Sequence, residues 1–247
     1  MLDDNLARIY YLYHSGFALK YKGNLLIFDY YSDQSESGAR GLREGTISPK
    51  DLRDARKVYV FVSHSHHDHY NPVIYDWKEI NEDIHYFLSF EVETPSGSLR
   101  YQSMAPYEEY TGDGITVKTY DSTDLGVSFL VTIDGLRIFH AGDLNCWYWY
   151  YESTLQELKE DKGSFLRELD RMGDMSVDIA FFPVDPRLKE YYYMGGEYFI
   201  KRFKPKVFIP MHFGEEYGIT SAFAQRVKAL DKTRVVELTH RGQEIIF

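Results

Sequence analysis

Four of the nine histidines fall within six residues, in the segment Ser63-His64-Ser65-His66-His67-Asp68-His69-Tyr70-Asn71-Pro72. Imidazoles and a carboxylate at this density form a donor set suited to zinc, manganese or iron(II). A chance match to three histidines at fixed positions is expected on the order of 0.01 times in a chain of this composition, so metal binding is the expectation. In extended chain, residues two apart point to one side, so His64 and His66 can grip one ion together. Asp68 and His69 lie past the turn and can face a second ion. Two ions sharing a site sit roughly 3.5–4 Å apart.

The elements that must position these residues follow from apolar periodicity. Strands are predicted over 8–13, 17–21, 25–29, 58–63, 85–90, 115–120, 127–133, 137–140, 178–183, 206–210, 234–238 and 244–247. Helices are predicted over 72–80, 152–172, 196–203 and 219–230, with Asn71 as cap and Pro72 as first residue of the one that follows the histidines. Leu155, Leu158, Phe165, Leu169 and Met172 make the apolar stripe of the longest helix. Lys22-Gly23-Asn24, Asp134-Gly135 and Arg241-Gly242 read as hairpin turns, and 31–49 as a loop. Strands in runs with helices between them give an α/β fold, α+β by some schemes. No composition break suggests a linker, so a single domain over 1–247 is expected.

Composition narrows the function classes. At 44% hydrophobic and 27% charged, the 247-residue chain has the make-up of a folded protein. Its apolar runs are far shorter than the roughly 20 residues that span a bilayer, so no membrane span is expected. The start, Met1-Leu2-Asp3-Asp4-Asn5, is acidic where a secretory signal is basic, and the single Cys146 suits a reducing compartment. A cytoplasmic location is expected. The net charge, 28 − 38 = −10, opposes phosphate-backbone binding, so no nucleic-acid partner is expected. Nothing in the sequence excludes a homo-oligomer. The tyrosine clusters at 10–11, 30–31, 148–151 and 191–193 read first as amphipathic packing.

The motif His64-x-His66-x-Asp68-His69 at a strand end resembles the signature of the metallo-β-lactamase superfamily. Other segments agree in order. Phe139-His140-Ala141-Gly142-Asp143 is similar to the segment giving a bridging aspartate, and Ile209-Pro210-Met211-His212-Phe213-Gly214 to that giving the last histidine. Leu25-Leu26-Ile27-Phe28-Asp29 looks like the early strand whose aspartate supports the site. Tyr13-His14-Ser15-Gly16-Phe17 resembles the opening of the branch with ascorbate-6-phosphate lactonase and the acylethanolamine-releasing phospholipase D. The resemblance implies a four-layer αββα sandwich and two divalent ions, zinc first, with manganese or iron as alternatives and one-ion occupancy open. It implies His64 and His66 on metal one, Asp68, His69 and His212 on metal two, and Asp143 bridging. Asp29, His14 and His140 would stand behind the ligands. No histidine matches the family's further ligand. The corresponding stretch reads Thr119-Tyr120-Asp121-Ser122-Thr123-Asp124, so metal one is bound by Asp121 or Asp124, or lacks that ligand.

Two such ions acidify a shared water toward a pKa of ~7, supplying hydroxide at neutral pH, and polarise an acyl or phosphoryl oxygen. The leading expectation is a hydrolase of a small ester, lactone or phosphoester, with Asp68 and Asp143 as its catalytic carboxylates. A non-haem iron redox protein or dioxygenase is one alternative, and a non-catalytic metal or metabolite binder another. Asn145, Trp147, Asp185 and Arg187 follow strands that should end near the metals and are candidate substrate contacts, Arg187 for an anionic group. His67 reads as a donor behind the ligands or a solvent-facing residue, Cys146 as a small buried residue, and His85 and His240 as structural.

Overall fold

The computed structural model describes residues 5–95, 99–230 and 232–247; most of the acidic start, residues 1–4, lies outside them. The chain forms two compact units, one of Met1–Met104 with Thr239–Phe247 and one of Ala105–Leu238. In the first unit run β1 (Arg8–Tyr13), β2 (Gly16–Tyr21), β3 (Asn24–Phe28), α1 (Pro49–Asp54), β4 (Lys57–Val62), β5 (Ile84–Ser89) and β6 (Tyr101–Met104). The second holds β7 (Glu109–Gly112), β8 (Ile115–Tyr120), β9 (Ser128–Ile133), β10 (Leu136–His140), α2 (Leu155–Arg171), β11 (Ile179–Pro183), α3 (Met194–Phe203), β12 (Val207–Met211), α4 (Gly218–Val227) and β13 (Arg234–Val235). The chain then returns to the first unit as β14 (Glu244–Ile246). Each unit contains one mixed seven-stranded sheet, which with the helices gives the expected α/β class, consistent with the metallo-β-lactamase sandwich.

In the first unit the sheet order is β14-β1-β2-β3-β4-β5-β6, antiparallel up to β3 and parallel from β3 to β6. Lys22 and Gly23 both take positive φ, 49° and 75°, which gives the two-residue turn the twist a hairpin needs. Residues of β3, β4 and β5 are nearly all buried on both faces, which is why they read as unbroken apolar runs. One face, with Leu25, Ile27, Val58, Val60, Ile84 and Tyr86, packs with Leu52 of α1 and with Ile74 and Trp77. Along the other, the register aligns Phe17, Phe28, Phe61 and Phe87. Phe61 stacks on Phe28 at 4.6 Å and on Phe87 at 5.2 Å, so aromatic contacts pin the pairing of three strands.

The second sheet runs β13-β12-β11-β10-β9-β8-β7, antiparallel from β7 to β10 and parallel from β10 to β13. Phe199 of α3 packs on Phe139 and Phe182 at 4.9 and 4.8 Å, and Phe223 of α4 on Phe208 at 5.0 Å. Gly196 permits this approach, since a Cβ there would come within 2.7 Å of Phe223.

Several expectations are corrected. Helix α2 starts at Leu155, not 152, because Thr154 and Glu157 form a capping box, and Leu155 lies outside the apolar stripe at 74% exposure. Residues 72–79 form a 3₁₀ helix, with Asn71 Oδ1 accepting from Val73 N. Strand 234–238 shortens to two residues. Arg241-Gly242 is no hairpin turn: Gly242 N donates to Tyr11 O, and the strand that follows pairs with β1. Strands β6 and β7 and helix α1 were not expected. Among the described residues no helix is long and apolar enough to cross a membrane.

Two predictions follow from this packing. Phe61→Ala should lower stability by about 3–5 kcal/mol in denaturant unfolding, since it empties the middle of a buried stack. Glu244 ties β14 down: its carboxylate accepts from Arg8 Nη1 at 2.7 Å, Tyr10 Oη at 3.0 Å and Arg43 Nη2 at 3.0 Å. Burial opposes the charge, but these partners outweigh it and hold the carboxyl below its ordinary value. Its stabilising effect is therefore present above the ordinary glutamate pKa and lost as pH falls through the lowered one. Glu244→Gln should be less stable than wild type at pH 7, and the gap should close on acidification.

Candidate functional site

The first unit gathers five potential ligands at one sheet edge. Strands β3 and β4 are parallel, so Asp29 and Ser63-His64 emerge side by side. Strand β2 is antiparallel to β3, with Phe17 opposite Phe28, so the β1–β2 turn that carries His14 sits at the same edge. Asp29 is fully buried and accepts from Ser63 N at 2.8 Å and Ser63 Oγ at 2.6 Å, and it lies 2.8 Å from His69 Nδ1. A carboxylate at Nδ1 makes that nitrogen the proton donor and leaves His69 Nε2 as a lone-pair donor. His64 Nδ1 meets Ser63 Oγ at 2.9 Å; since that hydroxyl donates to Asp29, it accepts from Nδ1, and Nε2 is again the lone-pair nitrogen.

The imidazoles of His64 and His69 lie 4.1 Å apart, and those of His64 and His66 4.6 Å. His64 and His69 are buried, while His66 is exposed. One donor atom each of His14, Asp68 and His69 lies within 4.8 Å of the others, and the same holds for His64 and His66. His14 Nε2 is 3.5 Å from Asp68 Oδ2. The hydrogen bond from His14 is the largest influence on the Asp68 carboxyl and, against burial, holds it well below the usual carboxylate range. His67 is exposed, with its ring edge-on to Tyr31.

In the second unit Asp143, Asp185 and His212 follow the adjacent parallel strands β10, β11 and β12. His212 Nε2 is 3.3 Å from Asp143 Oδ1, and its Nδ1 is 2.9 Å from Asp185 Oδ2. Asp185 is fully buried and also accepts from Arg187 N and Nε at 2.8 and 3.0 Å. Burial alone would raise its pKa; the bonds from His212 and Arg187 outweigh that and hold it below the usual range. Trp147 Nε1 donates to Asp143 O at 2.9 Å, and the Trp147 ring stands edge-on to His212 at 5.4 Å. Arg187, its side chain 58% exposed, lies over Trp149.

The remaining candidates are placed as follows. Asn145 is buried beside Gly195, where a Cβ would fall 1.9 Å from its Oδ1. Thr123 holds this loop: its Oγ1 accepts from Asn145 N at 2.9 Å and donates to Asn145 O at 2.6 Å. Asp121 lies 3.7 Å from Arg171, and with Asp124 it lines an open polar cleft that includes Arg167 and Glu168. Among the described residues neither joins a group of three or more potential ligands. His140 is buried and accepts from Gly142 N through Nδ1. Cys146 is fully buried, which pushes its thiol up to about 12. His85 stacks on Phe87, and His240 is exposed beside Thr239. Ser63 and Thr123 were not anticipated, since a lone hydroxyl residue carries no periodic or spacing signal.

A family model described as "Beta-lactamase superfamily domain" matches residues 8–149, more than half of the chain. The chain belongs to the metallo-β-lactamase superfamily. Solved structures share its fold. Igni18, a metallo hydrolase of the archaeon Ignicoccus hospitalis, is 16% identical with a TM-score of 0.63, over 98% of both chains. An isothiocyanate hydrolase from Delia radicum gut bacteria is 14% identical with a TM-score of 0.55, over 96% of this chain and 98% of that one. CmlA, a diiron β-hydroxylase of Streptomyces venezuelae, is 11% identical with a TM-score of 0.58; the match covers 98% of this chain and 53% of that one. At these identities the likeness shows the fold alone.

The His/Asp clusters of this superfamily member are compatible with divalent metal binding: imidazoles engaged at Nδ1, with carboxylates beside them, are a fitting donor set. Asp29→Asn would set an amide against His69 Nδ1: its oxygen accepts more weakly than the carboxylate, and its N–H, if turned to the ring, would favour the tautomer that protonates Nε2. The variant should bind Zn²⁺ roughly 10–100-fold more weakly in a chelator competition. Metal-free thermal unfolding serves as the control for folding.

Proposed function

We propose that the chain is a cytoplasmic metal-dependent hydrolase of a small ester, lactone or phosphoester, in the lactonase- and phospholipase-like branch of its superfamily. The two units would act as one functional domain. The observation that carries this reading is the paired orientation of metal-ready imidazoles, Asp29 on His69 and Asp185 on His212. His64 and His66 would hold one divalent ion, Asp68, His69 and His212 a second, with Asp143 shared; zinc fits this nitrogen-rich set first. When bound, the ions supply an acidified water and a Lewis acid for the scissile oxygen.

The protein's own groups supply orientation and charge. Asp68, held ionised, can accept a hydrogen bond from the attacking water and aim it. Asp29, Ser63 and Asp185 keep the imidazoles in the ligating tautomer. Arg187, preorganised by its chelate with Asp185 and its seat over Trp149, offers an exposed guanidinium to an anionic part of the substrate. Trp147 and Trp149 lie parallel at 6.0 Å and supply an apolar wall beside it.

The test combines metal analysis of freshly purified protein with turnover on ester, lactone and phosphodiester panels. Stoichiometric zinc or manganese with turnover, both lost in Asp143→Asn and His66→Ala, is the expected result. Full activity in either variant would overturn the assignment. Iron-rich, coloured protein without hydrolysis would replace it with oxygen chemistry, and tight metal without any turnover with a binding role.

A further inference from the structure

We infer that His14 is itself a metal ligand, so that the ion held by Asp68 and His69 has a third donor from the first unit while the ion held by His64 and His66 has two. This rests on the metal-centre reading above and adds to it a ligand outside the His64–His69 motif. His14 occupies the turn between β1 and β2, at φ 55°, a left-handed backbone in which a side chain is strained. Its position is fixed: His14 N donates to the hydroxyl of the fully buried Tyr11 at 2.9 Å. Its ring stands edge-on to His69, centroids 5.8 Å apart and planes at 86°. Its Nε2 faces Asp68 Oδ2 at 3.5 Å.

A histidine acting only to steer Asp68 needs proximity to that carboxylate alone. Here an imidazole nitrogen of His14, one of His69 and a carboxylate oxygen of Asp68 converge, all within 4.8 Å of one another. Donors around a tetrahedral zinc with bonds of about 2.0–2.1 Å stand roughly 3.3–3.5 Å apart, a spacing within reach of small rotations about the His14 and Asp68 side-chain bonds. The ligand class is a divalent transition ion, and the arrangement makes the two positions unequal: tight at His14–Asp68–His69, weaker at His64–His66, where His66 is exposed.

The probe is Co²⁺ added to metal-free full-length protein, with affinities from chelator competition and coordination from the visible spectrum and X-ray absorption. Wild type should show a tight and a weak class of site. His14→Asn retains a residue type that tolerates the left-handed backbone, and His14→Gly relaxes it; both remove the imidazole. Each should weaken the tight class by roughly a hundredfold or more and lower its imidazole count by one, with metal-free unfolding unchanged in His14→Asn and no less stable than wild type in His14→Gly. His66→Ala should weaken the other class and leave the tight one as it is. In wild type, proton NMR of the Co²⁺ form should show hyperfine-shifted His14 ring resonances, a readout that needs no variant. Wild-type tight affinity and imidazole count in the His14 variants, or unshifted His14 resonances, would overturn the inference while leaving the metal centre standing. Absence of any Co²⁺ binding by wild type would overturn both.

Discussion

The first donor set depends on one buried carboxylate. Asp29 ends β3, and its two oxygens are engaged by the backbone and hydroxyl of Ser63 and by His69 Nδ1. An ionised carboxylate with no water access is costly to bury, on the order of several kcal/mol, unless each lone pair finds a donor. Three charge-assisted hydrogen bonds of about 1.5–3 kcal/mol each offset that cost. The same bonds fix the order of events along the chain: β3 and β4 must pair in parallel and in this register for Ser63 to reach Asp29, and the segment after β4 must turn back for His69 to do so. Backbone geometry and ligand tautomer are thus set by a single residue.

The second unit uses the same device from different elements. Asp185 lies two residues past β11, is fully buried, and engages Nδ1 of His212, the residue after the neighbouring parallel strand β12, with Arg187 balancing its charge. Each unit places its orienting carboxylate at the carboxyl end of a strand flanked by a parallel partner, where consecutive strands deliver side chains to one sheet edge. Parallel pairing does the positioning, and the carboxylate then selects which imidazole nitrogen is left to donate.

The candidate ligands stand out in the sequence by their clustering; behind them, Asp29 is named by the family resemblance, whereas Ser63 and the Asp185–His212 bond are not. His64, His66, Asp68 and His69 lie within six residues, so spacing alone announces them. Asp185 and His212 are 27 residues apart, and their bond exists only because β11 and β12 pair. The central strands were legible because burial on both faces makes them continuously apolar. Edge strands β6 and β7 were not, since Tyr101–Met104 and Glu109–Gly112 are largely exposed and polar and owe their conformation to a neighbour's hydrogen bonds. Arg241-Gly242 misled because turn composition reports the chain reversal and says nothing about which strand receives the next one.

Among the described residues nine non-glycine positions take a left-handed backbone, and three of them are site residues. His14, Asp29 and His212 all have positive φ, at 55°, 42° and 66°. A left-handed non-glycine residue costs roughly 1–2 kcal/mol, which glycine would avoid. Glycine at Asp29 or His212 would also delete the carboxylate or imidazole around which its neighbours are arranged, so side-chain chemistry there outweighs backbone preference. Glycine at His14 would relieve the β1–β2 turn and keep the N–H that Tyr11 accepts. What it would lose is the imidazole facing Asp68 and His69. Lys22, Asp113, Asp134, Lys189 and Lys204 take the same left-handed backbone with no part in either cluster, so a turn alone can impose it; what bears on the cluster is the placement of the His14 ring beside Asp68 and His69.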